Sequence, residues 1–221
     1  MINEGNLMER TEILKKFQEY KIVPVIAIED AGDTLPLVDA LTSGGLPLIE
    51  ITFRTPAARD VIATLSNKRP EILIGAGTIL KLEELEAAME NGAYFGVAPG
   101  FNPAIVERAE QLKFPFFPGI MTPSDIENAL SYGLDCLKYF PAEAAGGTVY
   151  LESLSAPYQH RNLKFIPTGG IKPGNIKEYL ALDNVIAVGG TWLAKSDEIF
   201  ENKWKEIQEK TKNACELIGH E

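Results

Sequence analysis

The stretch PLIEITFRTP, residues 47–56, is a β-rich apolar run that closes on Thr55-Pro56. That pair opens a helix, because threonine offers a capping hydroxyl and proline suits the first helical position. One strand and the start of one helix are therefore written in ten residues. Seven further runs have the same character: IVPVIAI (22–28), ILIGAGT (72–78), YFGVAP (94–99), FPFFPG (114–119), CLKYFP (136–141), KFIPTGG (164–170) and VIAVGG (185–190). The runs begin roughly 20 to 28 residues apart, the length of a strand, a helix and two short loops.

Helix signals fill the gaps. Asn102-Pro103 and Thr122-Pro123 repeat the cap-proline pattern, and Asp125 completes a capping box with Thr122. Leu82, Leu85 and Met89, and Ile105, Val106 and Ala109, recur at helical spacing; Gly92 and Gly133 stand where C-terminal caps belong. Two more helices bracket the array. Residues 8–20 align Ile13, Leu14 and Phe17, and residues 203–218 align Ile207, Ala214, Leu217 and Ile218. Eight β–α units without a linker predict an α/β chain folded as one (β/α)8 TIM barrel over residues 1–221, with an extra N-terminal helix. A doubly wound sheet is the alternative.

Alternation then sorts the strand residues. Ile49, Ile51 and Phe53 share one face, suited to the helical layer, and Glu50, Thr52 and Arg54 share the other. Both signs of charge on an inward face are costly unless paired or hydrated. The same parity groups Cys136, Lys138 and Phe140 on the sixth run, and Ile74, Ala76 and Thr78 on the third, so that Lys138 is expected to share a cavity with Glu50, Arg54 and Thr78. Lys138 interrupts an apolar run and has three readings: a snorkelling side chain, half of a buried ion pair with Glu50 or Glu143, or a nucleophile. A desolvated lysine attacks a carbonyl to form an imine, and strand C-terminal ends are where barrel active sites form. Cys136 has no nearby base and reads as packing. The pairs Gly169-Gly170 and Gly189-Gly190, with the Thr191 hydroxyl, follow the seventh and eighth runs. Loops there commonly cradle phosphate on backbone N–H groups.

Composition narrows the field. The chain has 221 residues, 45% of them hydrophobic and 24% charged, with a formal net charge of −10. Nucleic acid and anionic membranes need a basic stripe, so neither is an expected partner, and any anion site must be local. Two cysteines and two histidines, His160 and His220, give no disulfide framework, metal-ligand spacing or histidine triad. No apolar leader or long apolar span occurs, which points to a soluble, intracellular chain, expected in the cytoplasm, and the scarcity of histidine and cysteine makes it metal-poor.

The segments IEITFRTP, GAGT, LKYFPAE, PTGGI and GGTWL stand in order across about 150 residues. Together they resemble the class I KDPG/KHG aldolases, which act on 2-dehydro-3-deoxy-phosphogluconate and 4-hydroxy-2-oxoglutarate. The resemblance runs from KIVPVIAI onward and implies a TIM-barrel lyase that releases pyruvate and an aldehyde from a 2-keto-4-hydroxy acid. It implies Lys138 as the Schiff-base lysine, Glu50 as the proton shuttle, and Arg54 and Thr78 as the carboxylate site. Pro99 and Phe140 match pocket walls, and Gly169, Gly170, Gly190 and Thr191 the phosphate end. A homotrimer without metal or other cofactor is implied as well. Ala98, Thr191 and Lys195 depart from the commoner serine, serine and proline, and none of them touches the Lys138–Glu50–Arg54–Thr78 set. A phosphosugar isomerase and a catalytically silent phosphometabolite-binding barrel are the competing readings. The first would need no imine-forming lysine, and the second would leave that set without a task.

Overall fold

The computed structural model describes residues 8–219. Nine short strands run β1 (Ile22–Ile26), β2 (Leu48–Thr52), β3 (Leu73–Gly77), β4 (Phe95–Val97), β5 (Phe116–Phe117), β6 (Gly119–Ile120), β7 (Cys136–Tyr139), β8 (Lys164–Pro167) and β9 (Val188–Gly190). Ten α-helices accompany them among the described residues. These are α1 (Arg10–Tyr20), α2 (Thr34–Ser43), α3 (Ala58–Lys68), α4 (Leu82–Glu90), α5 (Pro103–Gln111), α6 (Pro123–Ser131), α7 (Gly147–Ser155), α8 (Ile176–Leu180), α9 (Ser196–Phe200) and α10 (Trp204–Leu217). Each expected run contains a strand. The fifth is divided at Pro118, whose missing N–H cannot join a ladder.

All paired strands are parallel. β5-β4-β3-β2-β1-β9 form one sheet and β6-β7-β8 another. Bridges Phe165↔Val185 and Thr168↔Gly189 set the β8 segment beside the β9 segment. This is an α/β fold with a curled parallel sheet. The curl has a direct signature: the side chains of Glu50, in the larger sheet, and Lys138, at the centre of the smaller one, meet at 3.3 Å.

Parallel strands covered by helices are buried on both faces, and two cores result. Ile49, Ile51, Ile74, Ala76, Leu137 and Tyr139 pack toward the helices. Leu48, Leu73, Phe95, Phe117, Cys136 and Ile166 form the second core, on the other face, together with Ile13 and Phe17 of α1. The expected parity of β3 is thereby corrected: Ile74 and Ala76 belong to the helix layer, and the alternate residues Gly75 and Gly77 stand on the face of Glu50 and Lys138. Assigning Thr78 by strand parity put its neighbours on the wrong face, because β3 ends at Gly77 and Thr78 has φ 58°.

Local signals have local outcomes. Asn102 accepts from the Ala104 N–H, and Thr122 and Asp125 form the reciprocal capping box. Gly92 and Gly133 adopt positive φ. Thr55 does not cap α3; its hydroxyl donates to the Ile28 carbonyl at 2.5 Å and ties the end of β2 to β1 instead. His220 lies outside the described residues.

Candidate active site

The polar residues singled out from sequence lie at the C-terminal ends of the strands or just beyond. Lys138 is placed by β7, where its N–H donates to the Pro118 carbonyl and its register neighbours are Gly119 and Ile166. Glu50 lies in β2 between Val25 and Gly75. Lys138 Nζ donates to Glu50 Oε1 at 3.3 Å, with only 6% and 4% of the two side chains exposed. The ammonium also stands 5.8 Å from the centre of the Phe140 ring. A buried pair of this kind stabilises little after desolvation, so its presence calls for a chemical explanation.

Arg54 follows in the turn after β2. Its Nε donates to the Thr52 hydroxyl at 3.1 Å, and that hydroxyl donates to the Ile26 carbonyl at 3.0 Å. Among the described residues Arg54 forms no salt bridge with a carboxylate. Its exposed guanidinium is thus oriented by a hydroxyl and left with donors to spare. Thr78, next to it across the strand ends, holds a left-handed backbone, a costly conformation for a β-branched residue and one that concentrates at functional sites.

The Phe140 ring lies against Gly169, where an added Cβ would crowd it at 3.2 Å. Ala142 N–H donates to the Thr168 carbonyl at 2.8 Å and Glu143 N–H to the Gly169 carbonyl at 3.0 Å, while Asn175 Nδ2 donates to the Gly170 carbonyl at 3.2 Å. The carbonyls of this turn are thus engaged, whereas the N–H groups of Gly170 and Ile171 meet no acceptor among the described residues. Gly190 ends β9, with the Trp192 ring packed over it, and Thr191 is exposed beside it. Pro99 is half-buried after β4, its carbonyl against Gly119. The direct contacts join Lys138, Glu50, Phe140 and Gly169; among the described residues no hydrogen bond or ion pair links Thr78, Pro99, Gly190 or Thr191 to Lys138 or Glu50. Cys136 is fully buried below Lys138, and burial pushes its thiol up to about 12, which makes it a packing residue. Among the described residues no three His, Cys, Asp or Glu side chains gather to hold a metal.

Sequence reading passed over Gly77. A Cβ there would fall within the Glu50 carboxylate, so the glycine is what lets the acid lie flat across β3. The alternating glycines of ILIGAGT were the available signal.

Comparison with known proteins identifies the family. The profile of the KDPG and KHG aldolase family matches residues 13–210. The chain belongs to the KDPG and KHG aldolase family. Over 207 residues this aldolase is 45% identical to the 2-dehydro-3-deoxy-phosphogluconate aldolase of Haemophilus influenzae, covering 94% of this chain and 97% of the relative. It is 36% identical over 195 residues to the KHG/KDPG aldolase of Escherichia coli K12, covering 88% and 91%. The aldolase also superposes on the Legionella pneumophila KDPG aldolase, whose crystal structure holds pyruvate captured as a covalent carbinolamine. The TM-score is 0.87 at 35% identity, with 91% of this chain and 97% of that one covered.

Proposed function

We propose that this aldolase cleaves 2-dehydro-3-deoxy-6-phosphogluconate to pyruvate and glyceraldehyde 3-phosphate through an imine on Lys138. The observation that carries the reading is the dry 3.3 Å contact between Lys138 Nζ and Glu50 Oε1 at the strand ends. Deprotonated Lys138 attacks the C2 keto carbon to give a carbinolamine, and loss of water leaves a protonated imine. Glu50 takes the C4 hydroxyl proton; the C3–C4 bond breaks, its electron pair enters the imine to form an enamine, and the aldehyde departs. Glu50 then returns the proton to C3, and hydrolysis of the imine releases pyruvate. One carboxylate 3.3 Å from the nucleophile serves each proton transfer in turn.

Arg54, held by Thr52, clamps the substrate carboxylate with Thr78, and Pro99 and Phe140 wall the pocket. The Gly169–Gly170 turn, through its N–H groups at Gly170 and Ile171, with Gly190 and the Thr191 hydroxyl, cradles the phosphate. The name of the Escherichia coli relative supports a second substrate, 4-hydroxy-2-oxoglutarate, split to pyruvate and glyoxylate. The strands form a single closed (β/α)8 domain, supported by the β8–β9 bridges and by β5 and β6 flanking Pro118 to reach both sheets. The aldolase works as a cytoplasmic homotrimer, as the family resemblance implies; no described helix is long and apolar enough to cross a membrane.

The test is sodium borohydride reduction in the presence of pyruvate, followed by intact-mass measurement and peptide mapping. A pyruvate-derived adduct on Lys138 is expected, with none in a folded Lys138→Ala variant. An adduct that persists in the variant, or none in the wild type, would sink the mechanism.

A further inference from the structure

The Gly169–Gly170 turn is shaped by a side-chain clasp reaching it from two elements. Tyr179 of α8 is fully buried, and its hydroxyl donates to Glu143 Oε1 in the loop after β7. Glu143 in turn holds the turn twice. Its N–H donates to the Gly169 carbonyl at 3.0 Å, and its Cβ and Cγ fill the space that a side chain on Gly170 would need. Gly170 has φ 82°, and Gly147, on the other side, would bring a Cβ within 3.5 Å of Glu143 Oε1 and 3.7 Å of the Tyr179 hydroxyl. Burial, reinforced by the Glu143 carboxylate, pushes the Tyr179 phenol well above its usual range, so it remains a donor.

A carboxylate at the lip of an anion cradle is a liability. Left free, it would repel a dianion and loosen the turn whose N–H groups must point at it. The phenol pins it in place. We infer that Tyr179, acting through Glu143, is a positioning residue for the Gly169–Gly170 turn and sets this enzyme's preference for a phosphorylated over an unphosphorylated keto acid. The inference rests on the phosphate reading of that turn.

The experiment compares full-length wild type, Tyr179→Phe, Glu143→Ala and Glu143→Gln on 2-dehydro-3-deoxy-6-phosphogluconate and 4-hydroxy-2-oxoglutarate. Loss of one hydrogen bond to a charged group predicts a roughly tenfold higher KM for the phosphorylated substrate in Tyr179→Phe, with kcat within about twofold. KM for the unphosphorylated substrate and borohydride trapping of pyruvate should not change. Glu143→Ala, altered at an exposed position, should shift the same KM even if Tyr179→Phe folds poorly, and Glu143→Gln, which keeps an acceptor for the phenol, should restore it. Equal losses on both substrates, or weaker trapping, would reduce Tyr179 to a structural role and overturn the inference. Inorganic phosphate separates the two layers of the argument. If it competes with substrate equally well in wild type and Tyr179→Phe, the clasp fails and the phosphate turn stands. If it does not compete in wild type, the phosphate reading fails and the inference with it.

Discussion

A carboxylate in a dry site is positioned by whatever bounds it, and on one side Glu50 is bounded by the bare Cα of Gly77. Alanine there would force the carboxylate off β3 while leaving the strand pairing of Thr52 with Gly77 possible, since Gly77 does not use a positive φ. Misplacing a proton shuttle by about 1 Å costs on the order of 10²-fold in rate. Gly77→Ala is therefore expected to stay folded, by circular dichroism, and to lose roughly that much kcat; near-wild-type turnover would mean that the present place of Glu50 is not what the reaction uses. At this scale the sequence was largely legible. Period-two alternation put Glu50 and Lys138 on one face, and a charge on such a face needs a reason. Thr78 was not legible in the same way, because its φ of 58° ends the alternation on which the reading of its strand relied.

Elements were legible where their signals close within a few residues. The Asn102 cap and the Thr122–Asp125 box involve neighbours in sequence and formed as read. Thr55 looked the same and went elsewhere, since the Ile28 carbonyl that takes its hydroxyl is 27 residues away. Helix α1 shows what tertiary context adds to a periodic pattern. Its Ile13–Phe17 face does not join the helical layer; it enters the second core, where the Phe17 ring meets Phe95 edge-on at 5.0 Å and Phe117 at 5.4 Å. Phe17 is 1% exposed, so truncation leaves a cavity among rigid rings. Phe17→Ala should cost about 3–5 kcal/mol in urea unfolding, with α1 still helical. A loss below about 1 kcal/mol would mean that the core collapses to fill the gap or that α1 contributes little to closing it.

Across the whole molecule the two ends of the inner face divide the work: an apolar core with α1 lies beneath the Lys138–Glu50 pair, and the glycine turns and Arg54 lie at the strand ends above it. The clasp from Tyr179 to Glu143 spans 36 residues and two βα units, which no periodicity or local motif could have announced. The depth of the lower core has a consequence in solution. Burial pushes the Cys136 thiol up to about 12, whereas an exposed cysteine titrates near ~8.5. Below ~8.5 the folded and unfolded states both keep the proton, and the contribution of the thiol to stability is fully present. As pH rises from there toward about 12 the unfolded chain releases the proton and the folded one retains it, so stability falls. Cys136→Ala removes that linkage while leaving the other titrating groups in place. The variant should be the less stable protein at pH 7, and above pH ~9 its deficit in urea unfolding should shrink by up to about 1.4 kcal/mol per pH unit. A deficit that stays constant from neutral to alkaline pH would show that the thiol is hydrated, and that the core beneath Lys138 is wetter than its packing indicates.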